Sequence, residues 1–139
     1  MFVRNNLPAA MQGLMVVPIF AGYDAYVDQG RLWDYDATGG RYEEREFVAT
    51  GSGSVHAGAV IKVGWRTSMS QDAAVRLVLK SLWEAADSDS ATGGPDTLRG
   101  IYPIVASITA NGWERIEDST LSHLVEELIA EHQERNQEV

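Results

Sequence analysis

The chain has no cysteine, so no thiolate nucleophile and no Cys-based zinc site, and the groups that draw attention are carboxylates, hydroxyls and three histidines. The most suggestive group lies in residues 85–103, Ala-Ala-Asp-Ser-Asp-Ser-Ala-Thr-Gly-Gly-Pro-Asp-Thr-Leu-Arg-Gly-Ile-Tyr-Pro. This stretch follows an amphipathic segment and precedes an apolar, β-branched one, so it is expected to join a helix to a strand. A helix C-terminus carries partial negative charge and favours Lys, Arg or His nearby. Asp87 and Asp89 stand there instead, and no basic residue follows until Arg99. Two readings are open. In one, the acids and serines fold back on the local backbone as a polar cap and loop. In the other, an unfavourably placed carboxylate is kept because it meets a partner in space. Gly93-Gly94-Pro95 permits a tight turn in either case.

A second candidate is Gly51-Ser-Gly-Ser54, which opens a helical segment, the context of a phosphate-binding loop. Its spacing fails both the dinucleotide fingerprint, because His56 holds the sixth place, and the Walker pattern, because no Gly-Lys-Ser/Thr is present. A more modest role for Ser52 is a hydroxyl that glycines allow to approach closely. No Gly-x-Ser-x-Gly elbow exists, since Val55 stands where glycine is needed. His56, His123 and His132 show no metal-ligand spacing and are expected on helix surfaces or borders. Asp24, Asp36 and Asp89 could serve acid/base chemistry, but spacing alone brings no two of them together.

The elements that must position these groups can be read in order. Residues 1–13 read as the end of a helix begun upstream, with residues 9–12 completing a last turn and Gly13 stopping it. Residues 14–22 form an apolar run fit for a strand covered on both faces, although Pro18 removes a ladder donor. Residues 23–30 read as a polar loop. Residues 31–36 and 41–50 then make a β-hairpin around Ala37-Thr-Gly-Gly40, with Glu43-Glu44-Arg45-Glu46 as a solvated bend. A helix over 55–65 follows. A longer one starts after Ser68 or Ser70, Ser68 having capping-box spacing to Gln71. Val75, Val78, Leu79, Leu82, Trp83 and Ala86 form its apolar stripe, opposite Arg76, Lys80, Glu84 and Asp87. Residues 101–109 read as a buried strand, Asn111-Gly112 as a hairpin turn and 113–116 as the return. The last helix follows Asp118 or Ser119, with Leu121, Leu124, Val125, Leu128 and Ile129 on one face. Residues 132–139 are read as a frayed tail. The order is α+β, with sheet on one side of helices.

Composition narrows the class. The 139 residues suffice for one domain with a real core, and 45% apolar with 22% charged content is that of a folded soluble protein. A net charge of −9 argues against nucleic-acid or anionic-membrane surfaces. The absence of cysteine fits a reducing cytoplasm. The apolar run 14–21 is too short to span a bilayer, and no small-x-small cleavage pattern follows it to suggest a signal peptide.

Several segments together resemble a known family. Gly22-Tyr-Asp24 with residues 30–44 (Gly-Arg-Leu-Trp-Asp-Tyr-Asp-Ala-Thr-Gly-Gly-Arg-Tyr-Glu-Glu), Ala49-Thr-Gly-Ser-Gly-Ser54, Asp89-Ser-Ala-Thr-Gly-Gly-Pro-Asp96 and Arg99-Gly-Ile-Tyr-Pro103 are similar to the β-subunit of the bacterial proteasome, actinobacterial type. The resemblance covers nearly the whole chain and corresponds to the carboxy-terminal portion of such a subunit. It implies an αββα sandwich of the amino-terminal-nucleophile hydrolase type, incomplete here because the early strands are missing. The chain is then expected to be one partial domain over 1–139.

The activity that the resemblance implies is that of a threonine-type endopeptidase degrading unfolded or tagged proteins inside a barrel of stacked heptameric rings. An amino-terminal threonine attacks the peptide carbonyl while its own amine serves as base. Position 1 is Met, so the chain as written is expected to be inactive alone. The supporting shell is expected at Asp89, beside the nucleophile, at Ser52, and at Thr92, where many family members have Ser. Asp36 matches a carboxylate drawn into a neighbouring subunit's substrate pocket. No cofactor or metal is implied. The implied partners are other β-subunits, α-subunits and, through these, an unfolding ATPase ring, in the cytoplasm. The alternative is a non-catalytic, truncated ring or interaction subunit.

Overall fold

The computed structural model describes residues 7–137. Residues 1–6 and 138–139, the outer parts of the expected upstream helix and tail, lie outside the described residues. The chain divides into two compact units: residues up to Thr50 with Ile108–Gly112, and Gly51–Ser107 with the residues from Trp113 onward. Helix and sheet are mixed, as an α+β reading requires.

The first unit begins with a short helix, α1 (Leu7–Met11), stopped by Gly13 at φ 86°. A three-stranded antiparallel meander follows: β1 (Ile19–Asp24), β2 (Gln29–Tyr35) and β3 (Arg41–Glu44). The strand expected over 14–22 starts only after Pro18, where the chain regains a full set of ladder donors. It is also not covered on both faces. Ile19 and Phe20 are exposed, Phe20 resting against Trp33 at 5.6 Å between ring centroids. β1 lies at the edge of the meander, so it has a strand partner on one side.

Residues 23–30 are not simply a loop. Tyr23 and Asp24 pair with Gly30 and Gln29, and the turn between them takes its left-handed residue from Asp28, at φ 54°. Aspartate tolerates that region better than most residues. The return strand of the second hairpin stops at Glu44, well short of residue 50. The acidic run 43–46 is therefore half strand and half bend, and Glu43 does more than meet solvent. Its carboxylate takes the Arg31 guanidinium bidentately, at 2.7 and 2.8 Å. The same guanidinium reaches Asp24 at 3.0 Å.

In the second unit, α2 (Ser54–Gly64) and α3 (Gln71–Ser88) follow one another. The cap of α3 is Ser70, whose hydroxyl accepts from Ala73 N–H at 3.2 Å. Ser68 is at φ 62° and does not form the box its spacing to Gln71 offers. Next in the chain come two-stranded β4 (Ala106–Thr109) and β5 (Gly112–Arg115), whose residues 108–112 are counted with the first unit, and then α4 (Asp118–Gln137). The strand expected over 101–109 is thus only its last four residues. Ile101 instead forms an isolated bridge with Asp96.

Val75 and Leu79 of α3, Val105, and Leu121 and Leu128 of α4 form the core of this unit, with Tyr102, Ile116 and Leu124 packed against it. Val78, expected on the apolar stripe, is 39% exposed, while Ser81 and Ala85 are buried. Ser81 is accommodated because its hydroxyl donates to the Val78 carbonyl at 2.7 Å. Arg76, on the stripe opposite the apolar one, is engaged by α4. It clasps Glu127, at 2.5 Å, and Glu131 of α4. The polar residues 132–137 continue α4 as helix.

Candidate functional site

Ser52, 37 residues before Asp89 in the chain, meets Asp89 and its near neighbour Thr92 at the end of α3. Asp89 is the C-cap. Its N–H closes the helix on the Ala85 carbonyl at 2.8 Å, and its backbone then turns extended, with φ −118° and ψ 112°. The chain folds straight back, Thr92 N–H donating to the Asp89 carbonyl at 3.0 Å. This reversal brings the Thr92 hydroxyl to Asp89 Oδ2 at 2.6 Å. The Ser52 hydroxyl reaches the same oxygen at 2.6 Å from the start of α2, and Ala91 N–H donates to Oδ1 at 3.3 Å.

The protonation states follow from donor counting. An ionised carboxylate only accepts, so both hydroxyls must spend their single proton on Oδ2. Their lone pairs then remain to accept, and Oδ1 carries one long bond. The cluster is a surface of acceptors with one negative charge, suited to a protonated amine or another N–H donor. The bonds from Ser52, then Thr92, then Ala91 N–H hold the Asp89 carboxyl below the usual carboxylate range, with a smaller contribution from the nearby His56 charge.

The awkward acid also finds its electrostatic compensation here. Asp89 stands at the negative end of α3 but bonds Ser52, just ahead of α2, whose N-terminus carries partial positive charge. This argues against Gly51-Ser-Gly-Ser54 as a phosphate loop, because a carboxylate already occupies the approach to that helix end.

Asp36 does not join this group. It belongs to the first unit, where its carboxylate organises the β2–β3 turn. Oδ1 accepts from Thr38 N–H (2.9 Å), the Thr38 hydroxyl (2.8 Å) and Gly40 N–H (2.8 Å), and Oδ2 accepts from the Tyr42 hydroxyl at 2.9 Å. These donors, the Thr38 hydroxyl foremost, pull its carboxyl down to about 2. A depressed carboxyl contributes stability above its unfolded value and loses it as pH falls through the folded one. The hairpin resonances of residues 35–42 are therefore expected to shift as pH drops from about 4 towards 2, and Asp36→Asn should abolish that transition in an NMR titration.

The remaining candidates are placed as follows. Asp24 is held by Arg31 and by Tyr26 N–H within the first unit. His56 is exposed on α2, and His123 on α4 lies 3.1 Å from a Glu127 carboxylate oxygen. His132 stacks at a tilt on Trp83. Among the described residues no group of His, Asp and Glu is arranged to hold a metal ion, and no helix is long and apolar enough to cross a membrane. Thr38 and Tyr42 around Asp36, and Ala91 N–H on Asp89, are partners that the sequence expectations omit. The Asp-x-Thr and Asp-x-Ala spacings, where an aspartate bonds the backbone two residues on, are the signal that points to them.

Comparison with known proteins agrees with the motifs. The model of the family described as "Proteasome subunit" matches residues 3–99, a span containing Asp36, Ser52, Asp89 and Thr92. The chain is 50% identical over 133 residues to "Proteasome subunit beta" of Acidimicrobium ferrooxidans, covering 96% of this chain and 49% of that protein. It is 51% identical over 134 residues to the protein of the same name from Acidothermus cellulolyticus (94% and 46%) and 50% identical over 129 to that from Frankia alni (93% and 47%). The chain spans about half the length of these curated relatives. It belongs to the proteasome subunit family, among the bacterial β-subunits.

Proposed function

We propose that this chain is the carboxy-terminal portion of a threonine-type endopeptidase subunit with the αββα fold of amino-terminal-nucleophile hydrolases. In this reading the 139 residues form a single partial domain. They carry the supporting side of the active site, and a threonine from a segment outside them supplies the attacking hydroxyl. The observation that carries the reading is the donation of two hydroxyls into one oxygen of Asp89. That arrangement turns the oxygens of Ser52 and Thr92 into acceptors and sets a negative charge behind them. A terminal threonine offers the matching partner, an α-amine that takes the hydroxyl proton during attack and becomes an ammonium. The cluster would orient the neutral amine and stabilise the charged one, while the threonine oxygen bonds to the peptide carbonyl carbon and the carbonyl π pair moves onto the carbonyl oxygen.

Asp36 is proposed for the substrate pocket of a neighbouring subunit. Oδ2 retains accepting capacity beside the Tyr42 hydroxyl, and the bonds at Oδ1 hold the carboxylate rigid. The subunit would work with other β-subunits and with α-subunits in a barrel of stacked heptameric rings. Unfolded or tagged proteins would be degraded inside it, in the cytoplasm, with delivery by an unfolding ATPase ring.

The test has two arms. The gene is read upstream of Met1 for a propeptide ending in a Gly-Thr junction, and the particle purified from the source cells is treated with a threonine-directed covalent inhibitor. Labelling of a polypeptide that contains these residues is the expected result. No junction, together with a short species that co-purifies unlabelled, would replace this reading with a non-catalytic ring subunit.

A further inference from the structure

Position 53, the N-cap of α2, holds glycine and so makes no side-chain cap to the helix. The backbone does not require it. With φ −80° and ψ 2°, Gly53 sits where any residue can. Gly51, two residues earlier, is the contrast. It lies at φ +102° with nothing within 4 Å of the point a Cβ would occupy, so glycine is needed there for conformation alone. At Gly53 the need is for space. A Cβ there would stand 2.6 Å from Thr92 Oγ1, 3.1 Å from the Ala85 Cβ and 3.4 Å from Asp89 Oδ2. Gly53 is buried and Ala85 is 2% exposed, so neither yields towards solvent.

We propose that Gly53 is a positioning residue: the missing Cβ, faced by the small Ala85 on the last turn of α3, is what allows the Thr92 hydroxyl to reach Asp89 while Ser52 reaches it from α2. The functional consequence rests on the reading of the cluster as a supporting shell, but the steric claim stands on the geometry alone. A methyl at position 53 meets two obstacles of different stiffness. Ala85 is fixed in a helix, whereas the Thr92 hydroxyl sits at the end of a rotatable side chain on a loop. The hydroxyl gives way first. Asp89 then keeps the Ser52 bond and loses the Thr92 one, and an acceptor leaves the surface that would face the amine.

A double-mutant cycle in the full chain tests this, using Gly53→Ala, Thr92→Ala and the pair. Thermal melting and the titration of the Asp89 carboxyl by NMR are the readouts. G53A is expected to lower Tm and to move the Asp89 midpoint upward. In the T92A background, where the obstructing oxygen is gone, G53A should cost less than half as much Tm and leave the midpoint where T92A alone puts it. If G53A fails to fold, recovery of a cooperative melt in the double variant supports the proposal. Equal losses in both backgrounds, an unmoved Asp89 midpoint in G53A, or a double variant that also fails to fold would overturn it. In the purified particle, threonine-directed labelling should fall about tenfold or more in G53A, with no further fall when G53A is added to T92A. An unlabelled wild-type particle sinks the catalytic reading, and the melting cycle still decides the role of Gly53.

Discussion

On the proposed endopeptidase reading, Asp89→Asn is expected to leave the fold intact while cutting threonine-directed labelling and peptide turnover of the assembled particle by about 100-fold or more. The two halves of that expectation follow from different atoms. The amide oxygen of Asn can take the place of Oδ2 and accept from both Ser52 and Thr92, the 2.6 Å bonds that tie α2 to the loop after α3. The amide nitrogen, a donor, then faces Ala91 N–H and gives up that bond, the longest and weakest of the set at 3.3 Å, which leaves the loop its two shorter ones. The charge is what disappears. A purely structural Asp89 predicts near wild-type labelling from Asn, and a carboxylate that stabilises a developing ammonium predicts a large loss.

Ser52→Ala and Thr92→Ala each remove one acceptor and keep the charge, so each should cost less than D89N. The pH dependence supplies a separate check. The Asp89 carboxyl is held below the usual range by Ser52, Thr92 and Ala91, so its stabilising contribution is present above the ordinary carboxylate pKa and is lost as pH falls through the depressed one. The melting difference between wild type and D89N should therefore narrow on acidification. An intact melt with undiminished labelling in D89N would assign the carboxylate to the loop alone.

The oddity at Asp89 was legible because it is local, while the company of Ser52 and Thr92 came from the family resemblance. Two acids at a helix C-terminus conflict with the helix dipole, and such conflicts mark places where another requirement wins. Here the requirement is a bond to Ser52, whose approach no spacing rule reveals: residues 52 and 89 meet only because α2 starts beside the point where α3 ends. The long helices were equally legible, since a 3.6-residue period over α3 and α4 is hard to mistake. Their fine detail was not. Ser68 and Ser70 both precede α3, and the cap fell to Ser70 because Ser68 is spent on a left-handed turn. The β1–β2 turn was hidden for a related reason. Its positive φ falls on Asp28, and without a glycine the strands on either side read as a polar loop. The runs 14–22 and 101–109 were overextended because apolar composition signals burial without saying which residues find a ladder partner. Close approach allowed by the glycines around Ser52 was legible, but not that Gly53 is the one kept for space and Gly51 the one kept for its backbone, since the two look alike in sequence.

Leu121→Ala is expected to lose about 2–5 kcal/mol of folding stability, the largest single effect predicted for the core. Leu121 is fully buried on α4 and belongs to the cluster with Val75, Leu79, Val105 and Leu128. Truncation removes contacts with both helices at once, and the neighbours cannot close the gap. Val75 and Leu79 are fixed by the turns of α3, and Leu128 lies two turns further along α4. Against a total of about 5–15 kcal/mol for an ordinary domain, that loss lowers Tm by many degrees. Val78→Ala is the control. It sits one residue from Leu79, but at 39% exposure its truncation should cost well under half as much. The site offers a second control. Leu121 packs near Val75 and Leu79, whereas Asp89 is held from the other end of α3 by Ser52 and Thr92. Below its melting transition, L121A should therefore keep the depressed Asp89 titration that G53A loses. Equal costs for L121A and V78A would mean that the cluster around Leu121 is not what holds α3 and α4 together.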